Sequence, residues 1–350
     1  MKDEKDLDLF KNFTGDYQKA RQSIQRLSIQ VSESFKLGKK ISPAINLRKT
    51  ANIIVCGMGG SALGADLIGS LFADKIRVPL IINRNYELPF FANQNSLIVI
   101  SSYSGNTEEA LSCLNEALKK HFKIFIITSG GRLGRLAKQK KLPAVIFKPV
   151  DNPSFQPRLG TGYSLGIFWQ LLKKIKALPT DDKQENEFIK ALRLADKKYW
   201  LSWPLAQKIH NKTPIFVAAE FLSGNAHIIA NQLNESAKIF ASYYLLPELN
   251  HHLLEAVAAP LDLRKKWLFV FLKSNLYNKR NYQRFFLTQK IFKKLKINYL
   301  NFPLTGATKI AQAASVLVHG SYLSLFTSRL LKKNPLKIPL VDYLKKELKP

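Results

Sequence analysis

Short apolar runs at 52–56, 78–82, 96–101, 123–128 and 143–147 alternate with helix-length stretches at 61–73, 107–120 and 132–140. Runs such as Asn52-Ile53-Ile54-Val55-Cys56 are apolar throughout rather than alternating apolar with polar, as in strands buried on both faces. Strands separated by helices of this length form βαβ units, so the sheet is expected to be parallel and covered on both sides. An amphipathic helix is predicted ahead of them over 17–36, with Ile24, Leu27, Ile29, Val31 and Phe35 near helical spacing. The prolines of Lys148-Pro149-Val150-Asp151-Asn152-Pro153 then break the rhythm.

Beyond that break, helical patterns over 161–176 and 183–209 precede a second alternation. It runs through a strand at 214–219, a helix at 224–240, a strand at 267–273, a helix at 281–295 and a strand at 297–302, ending in helices near 308–332 and 340–348. The two halves echo each other. Ile53-Ile54-Val55-Cys56-Gly57 opens a glycine/serine turn, and Ile215-Phe216-Val217-Ala218-Ala219 leads into Leu222-Ser223-Gly224-Asn225. The expected architecture is α/β: two tandem αβα sandwiches with parallel sheets, flavodoxin-like, divided as 1–152 and 153–350.

Composition narrows the class. At 350 residues and 46% hydrophobic, the chain can bury two cores of ordinary size. Two cysteines, Cys56 and Cys113, exclude a disulfide scaffold and any Cys-based zinc module. No apolar run reaches the roughly 18 residues of a membrane span, and Met1–Phe13 lacks the apolar core of a secretory leader, so a cytoplasmic protein with no membrane partner is expected. The 54 Lys+Arg against 25 Asp+Glu give +29, which suits a polyanion or a small phosphorylated substrate. The lysines are interleaved with apolar residues, as in Phe292-Lys293-Lys294-Leu295-Lys296-Ile297, like the solvated faces of helices and strands. A dedicated nucleic-acid surface is therefore not expected.

Two strand-to-helix turns carry the chemical signal. The first, Gly57-Met58-Gly59-Gly60-Ser61, turns the backbone so that its N–H groups and a helix N-terminus face an anion. With Ala62 it satisfies the loose G-x-G-x-x-A dinucleotide pattern, but the second strand ends in Asn83-Arg84-Asn85 with no carboxylate for a ribose. Arg84 could meet a 2′-phosphate, which keeps an NADP-dependent dehydrogenase as a minor alternative. The second turn, Ser102-Tyr103-Ser104-Gly105-Asn106-Thr107, decides between them. One hydroxyl suffices to cap a helix; three beside a glycine suit a phosphate monoester.

GMGGSALGADL, SYSGNTEE, QPRLG, NQLNESAK and PELNHH together resemble the bifunctional phosphoglucose/phosphomannose isomerases, built from two sugar isomerase (SIS) domains. The likeness runs in order from about 50 to 255 and more loosely to the C-terminus. It implies SIS-type sandwiches and a cofactor-free aldose–ketose isomerase that interconverts fructose 6-phosphate with glucose 6-phosphate and mannose 6-phosphate. The expected partner is thus a hexose 6-phosphate. It also implies a homodimer whose histidine reaches the partner's site. A non-catalytic SIS sensor binding nucleic acid through its basic C-terminal region is the alternative from another class.

Isomerisation through an enediolate needs a carboxylate to shuttle a proton, a cation for the developing charge and an acid/base to open the ring. By resemblance, Glu235 in NQLNESAK is the shuttle, Arg158 in QPRLG the cation and His251 in PELNHH the ring opener. Ser102, Ser104 and Thr107 hold the phosphate, with Gly59, Gly60 and Ser61 at the sugar end. His252 is a second candidate for ring opening. His251, His252 and Glu255 have no metal-ligand spacing, so no metal is expected. The family's final-helix lysine falls on Lys345, with Lys346 second. Two departures stand out: Asn334-Pro335-Leu336-Lys337-Ile338-Pro339 has no threonine where the family carries a hydroxyl associated with mannose handling, and Ser321 replaces an acid.

Overall fold

The computed structural model describes residues 13–42 and 50–348. Residues 1–12, on which the leader expectation rests, lie outside the described residues.

The first sheet has the strands β1 (Asn52–Cys56), β2 (Leu80–Asn83), β3 (Ser96–Ser102), β4 (Lys123–Thr128) and β5 (Ala144–Ile146), all parallel, in the order β2-β1-β3-β4-β5. This is the flavodoxin-like order. Its central strands are buried because each face has its own apolar layer. Ile53, Val55, Leu97 and Val99 enter the main core, while Ile54, Ile98 and Ile100 pack in a second cluster. Period-2 alternation between two apolar layers is why the sequence shows continuous hydrophobic runs.

Around this sheet run α1 (Gly15–Gln25), α2 (Leu27–Lys39), α3 (Gly60–Leu71), α4 (Glu108–Lys119) and α5 (Gly131–Gln139). The helix expected over 17–36 is thus two, broken at Arg26, and Ile29 is 43% exposed rather than on the buried stripe. After a 3-10 turn at Pro157–Leu159, α6 (Thr161–Lys174) packs on both α2 and α3. The helix expected over 183–209 divides into α7 (Asp182–Asp196), a 3-10 turn (Tyr199–Ser202) and α8 (Trp203–Ile209). Pro204 sits in the first turn of α8, where its missing N–H costs nothing.

The second sheet repeats the order one strand shorter: β7 (Ser242–Leu245), β6 (Thr213–Ala218), β8 (Trp267–Phe271) and β9 (Tyr299–Asn301), all parallel. β7 is absent from the sequence-based expectation, which ran a helix to 240. In the structure α9 (Ser223–Gln232) gives way to a π-turn at Leu233–Ala237. The strand is hard to foresee because it is a half-exposed, four-residue edge. The short helices α10 (Leu253–Ala256) and α11 (Leu261–Arg264) follow, then α12 (Lys279–Lys294). On α12 Phe292 is buried while Lys293 and Lys294 face solvent, as the interleaving anticipated.

The 22-residue α13 (Lys309–Leu330) is apolar around most of its circumference because it is enclosed, packing on α7, α8 and α9. α3 in turn packs on α9, joining the layers of the two sheets. The last helix, α14 (Pro339–Glu347), buries none of its residues. No helix among the described residues is long and apolar enough to cross a membrane.

Candidate active site

Arg158 is the centre of the assembly. It lies in the 3-10 turn between the sheets, 1% exposed, and all five of its N–H groups find acceptors. Nε donates to Ser236 Oγ (3.0 Å), and Nη1 donates to Gln156 Oε1 (2.9 Å) and Glu235 Oε2 (2.9 Å). Nη2 donates to the carbonyls of Pro335 (2.7 Å) and Leu336 (3.2 Å). Burial pushes the guanidinium below its ordinary pKa, and Glu235 opposes that shift. One residue thus ties together the QPR segment, the NESAK turn and the segment ahead of α14.

Glu235 sits in the π-turn, where an extra residue per turn bulges the backbone; such bulges recur at functional positions. Its side chain is 31% exposed, so the oxygen not held by Arg158 can meet a ligand. Gln232, one turn earlier, donates to the Arg158 carbonyl (3.0 Å) and to Ser321 Oγ (3.0 Å). Ser321 Oγ donates onward to the Leu317 carbonyl (2.8 Å). The departure at Ser321 therefore lies in a buried hydrogen-bond chain ending on the Arg158 backbone. Sequence reading missed Gln232; its place three residues before Glu235 on one helical face was the available signal.

The Gly57 turn meets this assembly at Gly60. A Cβ there would lie 2.6 Å from the Arg158 nitrogen and 2.6 Å from the Pro157 carbonyl carbon, so only glycine lets α3 approach the 3-10 turn. Gly59 is the N-cap of α3 and faces open space. Ser61 is buried; its Oγ accepts from the Tyr103 N–H (2.9 Å), and its carbonyl accepts from Ser101 Oγ (2.7 Å), linking the first turn to the second.

In the second turn, Ser102 and Thr107 share a 2.8 Å hydroxyl–hydroxyl bond, and Ser102 Oγ also accepts from the Gly105 N–H (3.0 Å). Gly105 has φ +70° and packs its α-carbon against the Gly130 backbone, which a side chain would strike. Ser104 Oγ is exposed and accepts from the Asn106 N–H at 3.3 Å. α4 begins directly after Thr107 and carries no side-chain cap bond, so its first N–H groups have no cap from the Thr107 side chain. Beside this turn lies a cleft of ≈460 Å³ whose lining includes Ser104 and Thr107, the carboxylates Glu108 and Glu109, and, from α14, Leu344 and Lys345. Lys345 lines it and Lys346 does not.

Two sequence candidates fall elsewhere. His251 is exposed at the end of a 3-10 turn, and among the described residues no hydrogen bond or ion pair joins it to Arg158 or Glu235. Arg84 is engaged rather than open to a 2′-phosphate: Nη2 lies 2.7 and 2.6 Å from the two oxygens of Asp66, which also faces His227 Nδ1 at 3.2 Å.

Parallel flavodoxin-order sheets with a hydroxyl-rich turn at a helix N-terminus define a sugar isomerase-domain protein. The model of the bacterial phospho-glucose isomerase C-terminal SIS domain matches residues 201–348. A hypothetical protein from Thermus thermophilus shares the fold at a TM-score of 0.70 and 16% identity, covering 94% of this chain and 90% of that one. The bifunctional phosphoglucose/phosphomannose isomerase of Caldicellulosiruptor bescii is 30% identical over 93% of this chain and 98% of its own length. That of Aquifex aeolicus is 28% identical over 87% and 93%. The chain belongs to the bifunctional phosphoglucose/phosphomannose isomerase family.

Proposed function

We propose that the protein interconverts fructose 6-phosphate with glucose 6-phosphate, and more weakly with mannose 6-phosphate, by proton transfer through an enediolate. The observation that carries the reading is the Arg158–Glu235 pair, a buried, fully hydrogen-bonded cation against a partly open carboxylate. The phosphate sits at the N-terminus of α4, held by Ser102, Ser104, Thr107 and backbone N–H groups, with Lys345 approaching from α14. Gly59, Gly60 and Ser61 border the sugar. The free oxygen of Glu235 takes the proton from C2 of the aldose and returns it to C1. Arg158 offsets the charge that develops between those steps. His251 passes the ring proton during opening.

His251 stands apart from Arg158 and Glu235 within one chain, which supports a homodimer in which each histidine serves the other copy's site. Two free, buried thiols suit a reducing cytoplasm. The division into units 1–152 and 153–350 belongs to the same proposal, since each unit holds one sheet. The mannose branch is expected to be the slower because 334–339 has no threonine where the resembling family carries a hydroxyl associated with mannose handling.

The test is incubation with fructose 6-phosphate and identification of the products by NMR. Glucose 6-phosphate should dominate, and Glu235→Gln should bind substrate while losing about 10²- to 10⁴-fold in kcat. Formation of neither aldose phosphate would overturn the reading and favour a sensor.

A further inference from the structure

One cation beside the Arg158–Glu235 pair has no part in that chemistry. Lys238 closes the π-turn with a left-handed backbone, φ +54°, and its side chain folds back over the turn. Its ammonium donates to the carbonyls of Glu235 (2.7 Å), Ser236 (3.4 Å) and Asn334 (2.7 Å). All three ammonium protons are thereby used, two on carbonyls at the end of the π-turn and one on a carbonyl of the segment between α13 and α14. The next two carbonyls along, those of Pro335 and Leu336, are the ones held by Arg158. Consecutive carbonyls of one strap are thus clipped by two cations, both of which also bond Glu235. The strap leads directly into α14, which has no buried residue of its own to hold it over the phosphate cleft.

We infer that Lys238 is a positioning residue: its ammonium fixes the backbone carrying Glu235 and fastens the strap that seats α14, so that both ends of the substrate site are set by one charge. A fixed anion beside a fixed cation needs no reorganisation when the proton moves, and small misplacements of such groups are costly in rate.

Although Lys238 is partly exposed, desolvation of its ammonium lowers its pKa to about 8; Arg158 and Lys333 push the same way, and Glu235 opposes them. Above that value the amine is neutral and has two protons for three carbonyls. Turnover should therefore fall as pH rises through about 8.

The experiment compares the whole chain with Lys238→Met and Lys238→Arg, measuring kcat and KM for fructose 6-phosphate from pH 6 to 10. Lys238→Met should lose about 10- to 100-fold in kcat, with KM within about threefold, and should lack the alkaline limb. Lys238→Arg, which keeps its charge throughout, should recover most of the rate and lack that limb too. A Lys238→Met protein with unaltered kcat overturns the inference. So does a Lys238→Arg protein that retains the limb, and that second result decides the matter if the Met variant does not fold. The inference rests on Glu235 as the proton shuttle. Absence of turnover by the unsubstituted chain would sink both, whereas normal turnover with an indifferent Lys238 sinks this inference alone.

Discussion

Arg158 Nη1 and Glu235 Oε2 lie 2.9 Å apart, the first side chain 0% exposed and the second 31%. The asymmetry gives the pair its use. A guanidinium with every donor engaged cannot turn away, so the carboxylate meets a fixed positive charge while its other oxygen stays accessible. The two residues are separated by 77 positions in sequence and meet where α3 packs on both the Pro157–Leu159 turn and α9.

Removing the cation should unbuild this junction. Arg158→Met leaves the acceptors of Gln156, Glu235, Pro335 and Leu336 without their donor in a buried setting. Loss of one partner from such a network costs about 3–5 kcal/mol. Urea unfolding should show the midpoint falling by a corresponding amount, and Arg158→Lys, which cannot supply five donors in a plane, should recover only part of it.

Two glycine substitutions should move stability in opposite directions. Gly60→Ala forces a Cβ to within 2.6 Å of two backbone atoms that cannot yield, and overpacking of this kind costs about 1–3 kcal/mol. Gly134→Ala, inside α5, meets only Ile146 and Thr128 side-chain atoms at 3.8 Å. There the gain in helix propensity should stabilise the protein by up to about 1 kcal/mol. Thermal melts of the two variants beside the parent give the comparison; a Gly60→Ala protein as stable as the parent would falsify the close-approach account.

Ser104 tests the phosphate turn without disturbing its frame. Its hydroxyl is exposed and supports only the Asn106 N–H, whereas Ser102 and Thr107 brace each other. Ser104→Ala should therefore leave the melting temperature unchanged and raise KM for fructose 6-phosphate by about 3- to 10-fold, the equivalent of one ordinary hydrogen bond. Ser102→Ala should raise KM and lower the melting temperature together.

Asp66 gives the pH dependence of stability a definite sign. Burial alone would raise its pKa, but the hydrogen bonds from His227 and Arg84 outweigh burial and hold the carboxyl below its ordinary value. A group depressed in the folded state contributes stability above its unfolded pKa of about 4 and loses it as the pH falls through the lower folded value. Asp66→Asn should therefore destabilise the protein at pH 7, and the gap between variant and parent urea midpoints should narrow steadily below pH 4. A gap that stayed constant down to pH 3 would mean the carboxylate charge contributes nothing.

How much of this was legible beforehand varies with the range of the interactions involved. The central strands could be read because each is buried on both faces and so appears as a run. β7 could not, because it is an edge of four residues whose strand conformation comes from pairing with β6. The split at α8 was visible in principle, since Pro204 marks it. The end of α9 was not: the helical pattern continues through Leu233–Ala237, and only the structure shows that α9 gives way there to a π-turn.

By itself the sequence determined the fold class, the order of elements in the first sheet's half, the two anion-suited turns and the family motifs. All of these depend on neighbours within a few residues or on a repeating period, and local chemistry is written locally. Tertiary structure alone decided which candidates meet. It placed Arg158 on Glu235, Lys345 over Ser104 and Thr107, Ser321 in the Gln232 chain and Lys238 on the carbonyl of Asn334, and it left His251 apart from them. Those contacts span tens to hundreds of positions. They exist because glycine at 60 lets a helix come close and because buried cations must find acceptors wherever the packed chain provides them.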